Sequence, residues 1–215
     1  MSRLTDPLAV SPVRWGRVLL VVALALAVAH LLDPLAWAHV RDPRVNEREW
    51  GRLLRSAGYV PTWILGAAAI WLAGRHGTLV DGTASRRAAG WRATTLLLAP
   101  ALAGGLAELV KIVVRRQRPG ADSAAYLFRP YDVDFWSTRG LGLASSHTAV
   151  AFGAAAVMSR LLPGSAPVWY LLATGCAVTR IMAGAHYLSD TVAAAAIGWL
   201  VAEGCWRWAA RRVST

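Results

Sequence analysis

Apolar residues fall into six stretches, several of them short for a span, separated by segments rich in Arg, Pro and Gly. The stretches run from about Val18 to Ala38, Gly58 to Gly74, Ala93 to Val114, His147 to Leu162, Pro167 to Ala183 and Asp190 to Trp208. A helix rises about 1.5 Å per residue and a bilayer core is roughly 30 Å thick, so about 20 apolar residues make a span. The pattern predicts an all-α, polytopic membrane helix bundle with six transmembrane helices in one integral-membrane domain covering 1–215. Leu162-Pro163-Gly164-Ser165 is a tight turn between the fourth and fifth stretches. Trp15, Trp37, Trp91, Trp169, Trp206 and Trp208 mark stretch ends, as an interfacial aromatic belt requires. An even number of spans puts both termini on one side.

Two segments outside the spans carry their own patterns. Asp42-Pro43 reads as a helix N-cap followed by Pro at the first helical position. Beyond it Arg44, Arg48, Arg52 and Arg55 recur on one helical face, with Trp50, Leu53, Leu54 and Ala57 on the other. That spacing suits an amphipathic helix lying on the membrane, or equally a solvated charged loop. Gly120 to Gly140 carries Phe128, Tyr131, Phe135 and Trp136, and reads either as a lid over a lipid site or as a loop packed on its own aromatics.

Composition agrees with the membrane reading. Of 215 residues 56% are hydrophobic, and mean hydropathy is +0.41, whereas soluble domains sit at about 45–50%. The net charge of +11 comes from Arg clusters between apolar runs, not from one basic face interleaved with aromatics, so no nucleic acid is expected. Cys176 and Cys205 lie inside apolar runs without paired spacing and read as small buried hydrophobes. His30, His39 and His76 have no patterned neighbours and read as hydrogen-bonded side chains.

Three short patterns meet once the spans are drawn. Lys111-Ile-Val-Val-Arg-Arg-Gln-Arg118-Pro119 ends the third stretch, and Ala144-Ser145-Ser146-His147 begins the fourth. Arg180-Ile-Met-Ala-Gly-Ala-His186-Tyr-Leu-Ser-Asp190 joins the fifth to the sixth. All lie on the face opposite the termini. Three cations, two imidazoles and one carboxylate, without a ligand cluster for a metal, suit a phosphoryl group. Such a group needs charge on its equatorial oxygens and a nucleophile in line with an acid. Lys111 is the only Lys among 23 basic residues, placed where a point-charge phosphate ligand is wanted. His186 and Asp190, four apart, can pair so that one ring nitrogen is held and the other is free to attack. Ser145 and Ser146 precede a helix whose N-terminal amides favour an anion.

These residues resemble the signatures of the type 2 phosphatidate phosphatase and vanadium haloperoxidase superfamily: K-x6-RP, PSGH and SR-x5-H-x3-D. Ala144 stands for Pro, Ser146 for Gly and Thr179 for Ser. The resemblance implies a metal-independent lipid phosphatase that needs no cofactor and works through a phosphohistidine. His186 is then the nucleophile, Asp190 its orienter and His147 the general acid. Lys111, Arg118 and Arg180 bind phosphate, helped by Ser145 and Ser146. The implied partners are a phosphorylated membrane lipid, undecaprenyl pyrophosphate among the candidates, and the bilayer, with no obligate protein partner evident. Bacterial members keep the site outside the cytoplasm, which implies an inner-membrane protein with cytoplasmic termini; basic residues are nearly balanced between the faces and decide little. Transfer of phosphate to a lipid or sugar acceptor stays open beside hydrolysis. A transporter is disfavoured, because the patterned charges lie at one interface and not through the spans.

Overall fold

The computed structural model describes residues 12–76, 83–120 and 124–213. Its helices are α1 (Trp15–Val40), α2 (Glu49–Ser56), α3 (Val60–Arg75), α4 (Thr83–Val114), α5 (Ser146–Leu161), α6 (Ala166–Met182) and α7 (Leu188–Val213). A 3-10 helix, Pro43–Glu47, precedes α2. Among the described residues the protein is all-helical, as the run pattern predicts. By length and hydropathy three helical stretches are able to cross a membrane: Trp15–Val40, Arg86–Val114 and Leu188–Arg212. The pair α2 and α3, bent by 62° at the break between them, makes a fourth if taken as one span. The sequence reading counts α5 and α6 among six spans, but at 16 and 17 residues they fall short of about 20.

α5 is the central helix, packed against α4, α6 and α7. Small residues let it sit there: Ala149, Ala151, Gly153, Ala154, Ala155 and Ala156 are buried along it. They meet Ala99, Ala103 and Ala107 of α4 and Ala194 and Ala202 of α7, which are also buried. In lipid the exterior is as apolar as the interior, so helices associate through close packing and hydrogen bonds. α7 comes close at Gly198, where a Cβ would lie 2.5 Å from the Ala149 carbonyl oxygen. The outward faces stay apolar; Leu31 of α1 is 81% exposed.

The Asp42-Pro43 signal begins a shorter element than the single amphipathic helix expected. Asp42 accepts from the Arg44 amide at 3.1 Å, and the 3-10 turn ends before α2 starts. The four-arginine face divides accordingly. Arg48 pairs with Asp42 and Arg52 with Glu49, both Arg side chains 55% exposed, whereas Arg55 is half-buried. Leu54 packs onto Gly175 of α6, while Trp50 and Leu53 stay exposed.

After α4 the chain becomes extended. Arg115, at a left-handed φ of 58°, ends the helix. Arg116 then bridges to Phe128 and Gln117 to Leu141, both antiparallel. The Arg115 guanidinium, 1% exposed, donates to the carbonyls of Arg129, Pro130, Val133 and Phe135. The loop is thus closed around one cation, with Tyr131 and Phe135 over it and Phe135 edge-on to Trp136. Residues 121–123 of the Gly120–Gly140 segment lie outside the described residues.

The packing predicts a difference between two glycines of α7. Gly198→Ala should lower the thermal midpoint of the detergent-solubilised protein, because overpacking costs about 1–3 kcal/mol. Gly204→Ala, with nothing within 4 Å of the added carbon, should match or exceed the wild type. Equal midpoints for the two variants would mean that α5 and α7 are not in close contact.

Candidate active site

The C-terminal ends of α4 and α6 and the N-terminal ends of α5 and α7 converge, and the three sequence patterns meet there. Lys111, 5% exposed in the last turn of α4, donates to Ser146 Oγ and to Glu108 Oε1, each at 2.6 Å. Ser146 Oγ in turn donates to the same Glu108 oxygen. Ser145 caps α5, its hydroxyl oxygen accepting from Thr148 Oγ1 at 3.1 Å. Ser146, where the signature has Gly, is not among the residues with positive φ, so the helix start takes its side chain without backbone strain.

His186 is 3% exposed. Its Nδ1 lies 2.8 Å from the Gly142 carbonyl oxygen and 3.7 Å from Asp190 Oδ2. The nearer acceptor is therefore the backbone, and a proton on Nδ1 leaves Nε2 unprotonated. Asp190, wholly buried, is held mainly by other groups. Arg116 donates to Oδ1, and the Tyr187 amide donates to Oδ2 at 2.8 Å. Gly142 is fixed by its own amide, which donates to the Arg116 carbonyl at 2.7 Å. A Cβ on it would come 2.9 Å from Asp190 Oδ2, so this approach requires glycine. Burial pushes the His186 imidazole below the ordinary histidine value, while the Asp190 carboxylate pulls the other way.

The other predicted residues gather around this core. The Arg118 amide donates to the Gly140 carbonyl at 2.9 Å, which anchors the end of the extended segment. Arg180 is 6% exposed, and its Nε is buried with no hydrogen-bond partner. His147 stacks edge-on with Tyr59 at 5.1 Å, and its Nε2 is also buried without a partner. Arg180, His186 and Lys111 all lie within electrostatic reach of His147.

Several residues that reasoning from sequence missed complete the site. Arg116 packs against the rings of both Tyr126 and Tyr187, at 4.9 and 5.1 Å, and also donates to Ser189 Oγ at 2.8 Å. Asp33, 1% exposed within α1, accepts from the Ser189 amide at 2.8 Å and from Tyr126 Oη at 2.7 Å. Burial and that carboxylate push the Tyr126 phenol up to about 12. One signal was available beforehand: a lone carboxylate inside an apolar run is costly unless it has a partner.

Comparison with known proteins gives the family. The PAP2 superfamily model matches residues 92–214, more than half of the chain. The chain belongs to the PAP2 superfamily. It is a phosphate-ester hydrolase of the membrane lipid phosphatase branch. It is similar to the Lipid A 1-phosphatase of Rhizobium etli, 29% identical over 196 residues, covering 87% of this chain and 82% of that protein. The Lipid A 1-phosphatase of Rhizobium johnstonii is 26% identical over 193 residues, covering 87% and 78%. No solved structure matches. In this PAP2 chain Arg116, Asp33 and Glu108 surround the signature residues, and Asp33 precedes the matched segment altogether.

Arg116 predicts a specific energetic pattern. Arg116→Met leaves Asp190 buried and unpaired, which should destabilise the protein by about 3–5 kcal/mol. Arg116→Met with Asp190→Asn should recover much of that loss, measured by denaturant unfolding in mild detergent. Additive losses in the double variant would mean that the pair is not coupled.

Proposed function

We propose that this PAP2 phosphatase removes phosphate from a membrane lipid through a phosphohistidine on His186. The observation that carries the reading is the 2.8 Å contact between His186 Nδ1 and the Gly142 carbonyl. With the proton on Nδ1, the Nε2 lone pair is free, as a nitrogen nucleophile requires. Nε2 forms the P–N bond as the P–O bond to the lipid breaks, and His147 gives its proton to the departing oxygen. Water then attacks phosphorus, His147 takes the water's proton, the P–N bond breaks, and inorganic phosphate leaves. Lys111, Arg118 and Arg180 stabilise charge on the equatorial oxygens, and the α5 N-terminus after Ser145 and Ser146 adds amide donors. Asp190 supports His186 electrostatically from 3.7 Å. No step calls for a metal ion.

The names of the two rhizobial relatives favour a phosphorylated glycolipid of the lipid A kind over undecaprenyl pyrophosphate. The chain works as one domain, 1–215, in an inner membrane, with its site on the extracytoplasmic face and its termini in the cytoplasm. Release of phosphate by the purified protein from a panel containing lipid A, phosphatidate, phosphatidylglycerophosphate and undecaprenyl pyrophosphate tests this reading. Release from none of them would defeat it.

The two histidines separate by leaving group. His186→Ala removes the covalent route and should be inactive on every substrate. His147→Ala should lose about 10²–10⁴-fold on alkyl lipid phosphates. It should recover partly on an aryl phosphate, whose phenol leaves without a proton. The opposite pattern would exchange their roles.

The depressed His186 value fixes the sign of one pH effect. A group that protonates only below the ordinary histidine value of 6.5 stays neutral as pH falls through 6.5. The acid limb that His186 contributes to kcat/KM should therefore lie below pH 6.5. An acid limb centred above that value would place the nucleophile elsewhere.

A further inference from the structure

α2 delivers an arginine to the site that the steps above do not use. Arg55 lies in its last turn, with the guanidinium over the Tyr59 ring at 5.4 Å. The same ring meets the His147 imidazole edge-on at 5.1 Å. The backbone carbonyls of Arg55 and His147 both lie 3.9 Å from Cys176 Sγ, and Arg180 follows Cys176 by one turn of α6. Gly58 lets this turn press against His147; a Cβ there would lie 2.7 Å from His147 Cβ. The break between α2 and α3 is thus wedged between the start of α5 and the end of α6.

The charge at this junction is unbalanced. Arg55 makes no ion pair among the described residues, since Asp42 is taken by Arg48 and Glu49 by Arg52. The Nε atoms of Arg55 and Arg180 are both buried without a hydrogen-bond partner. The two guanidiniums are close enough to repel each other. Such a pair is costly to hold together unless an anion lies between them. Guanidinium forks suit a tetrahedral oxyanion.

We propose that Arg55 is a fourth cationic ligand of the transferred phosphoryl group, entering from the His147 side. It comes from outside the 92–214 segment that the family model matches. The proposal rests on the phosphatase reading above. The phosphoryl oxygens would sit between Arg55 and Arg180, near the imidazole that protonates the departing oxygen. α2 is then part of the catalytic end of the bundle, while its Trp50 and Leu53 stay exposed.

The test uses the full chain in detergent, a soluble aryl phosphate, and orthovanadate as a mimic of five-coordinate phosphorus. Arg55→Met should lower kcat/KM and weaken vanadate inhibition in parallel, each by about 10- to 100-fold, the worth of a charge-assisted hydrogen bond. Arg55→Lys keeps the charge without the fork and should fall between. Glu49→Gln, on the exposed side of the same helix, should match the wild type. Vanadate inhibition within twofold of wild type in a folded Arg55→Met or Arg55→Lys protein overturns the proposal, whatever happens to the thermal midpoint. If Arg55→Met does not fold, Arg55→Lys and Arg55→Gln decide by the same criterion. A wild type that neither releases phosphate nor responds to vanadate defeats the phosphatase reading and this proposal with it. A vanadate-sensitive wild type whose Arg55 variants are equally sensitive defeats this proposal alone.

Discussion

The buried pair between Arg116 and Asp190 joins elements that the chain keeps far apart. Asp190 has no exposure and Arg116 has 3%, so neither charge can fall back on water. A buried charge is tolerable only with a well-placed partner and further hydrogen bonds. Arg116 meets that condition through Asp190, Ser189 and two tyrosine rings. This fixes the segment after α4 against the first turn of α7. The Arg116 carbonyl then holds the Gly142 amide, and the Gly142 carbonyl faces His186. One ion pair therefore aligns the backbone that orients the proposed nucleophile.

α1 reinforces the same point from the lipid side. Most of its surface is apolar and exposed, yet Asp33 turns inward to Ser189 and Tyr126. A carboxylate in a membrane helix is retained only where partners compensate it. Here the partners are the residue beside Asp190 and a ring stacked on Arg116. α1 is thereby tied to the site although its hydropathy alone marks it as an anchor.

The two ends of the bundle carry charge in different ways. At the opposite end Glu203 is 2% exposed and bonded to both Arg160 and Arg207, so each of those cations has a carboxylate partner. At the site end cations outnumber acids. Glu108 occupies Lys111 and Ser146, while Arg55 and Arg180 have no acidic partner among the described ion pairs. An excess of buried positive charge on one side of His147 suits binding of an oxyanion.

Periodicity and spacing alone determined the helical class, the helix positions to within a few residues for most elements, and the three patterns carrying Lys111, Arg118, Ser145, Ser146, His147, Arg180, His186 and Asp190. These were legible because apolar length and motif spacing are local properties, and because alternate helix ends must share a face. Tertiary structure alone decided which carbonyl holds His186, which cation holds Asp190, and that Arg55 turns inward while Arg48 and Arg52 do not. Those choices depend on contacts such as Gly142 with His186, or Asp33 with Ser189, separated by 44 and 156 positions. Hydropathy does not encode them. It also did not show that α5 is central, since an alanine-rich helix reads as apolar whether it faces lipid or packs against three neighbours. Close packing of small side chains made that decision, and it is a property of pairs of helices and not of any one of them.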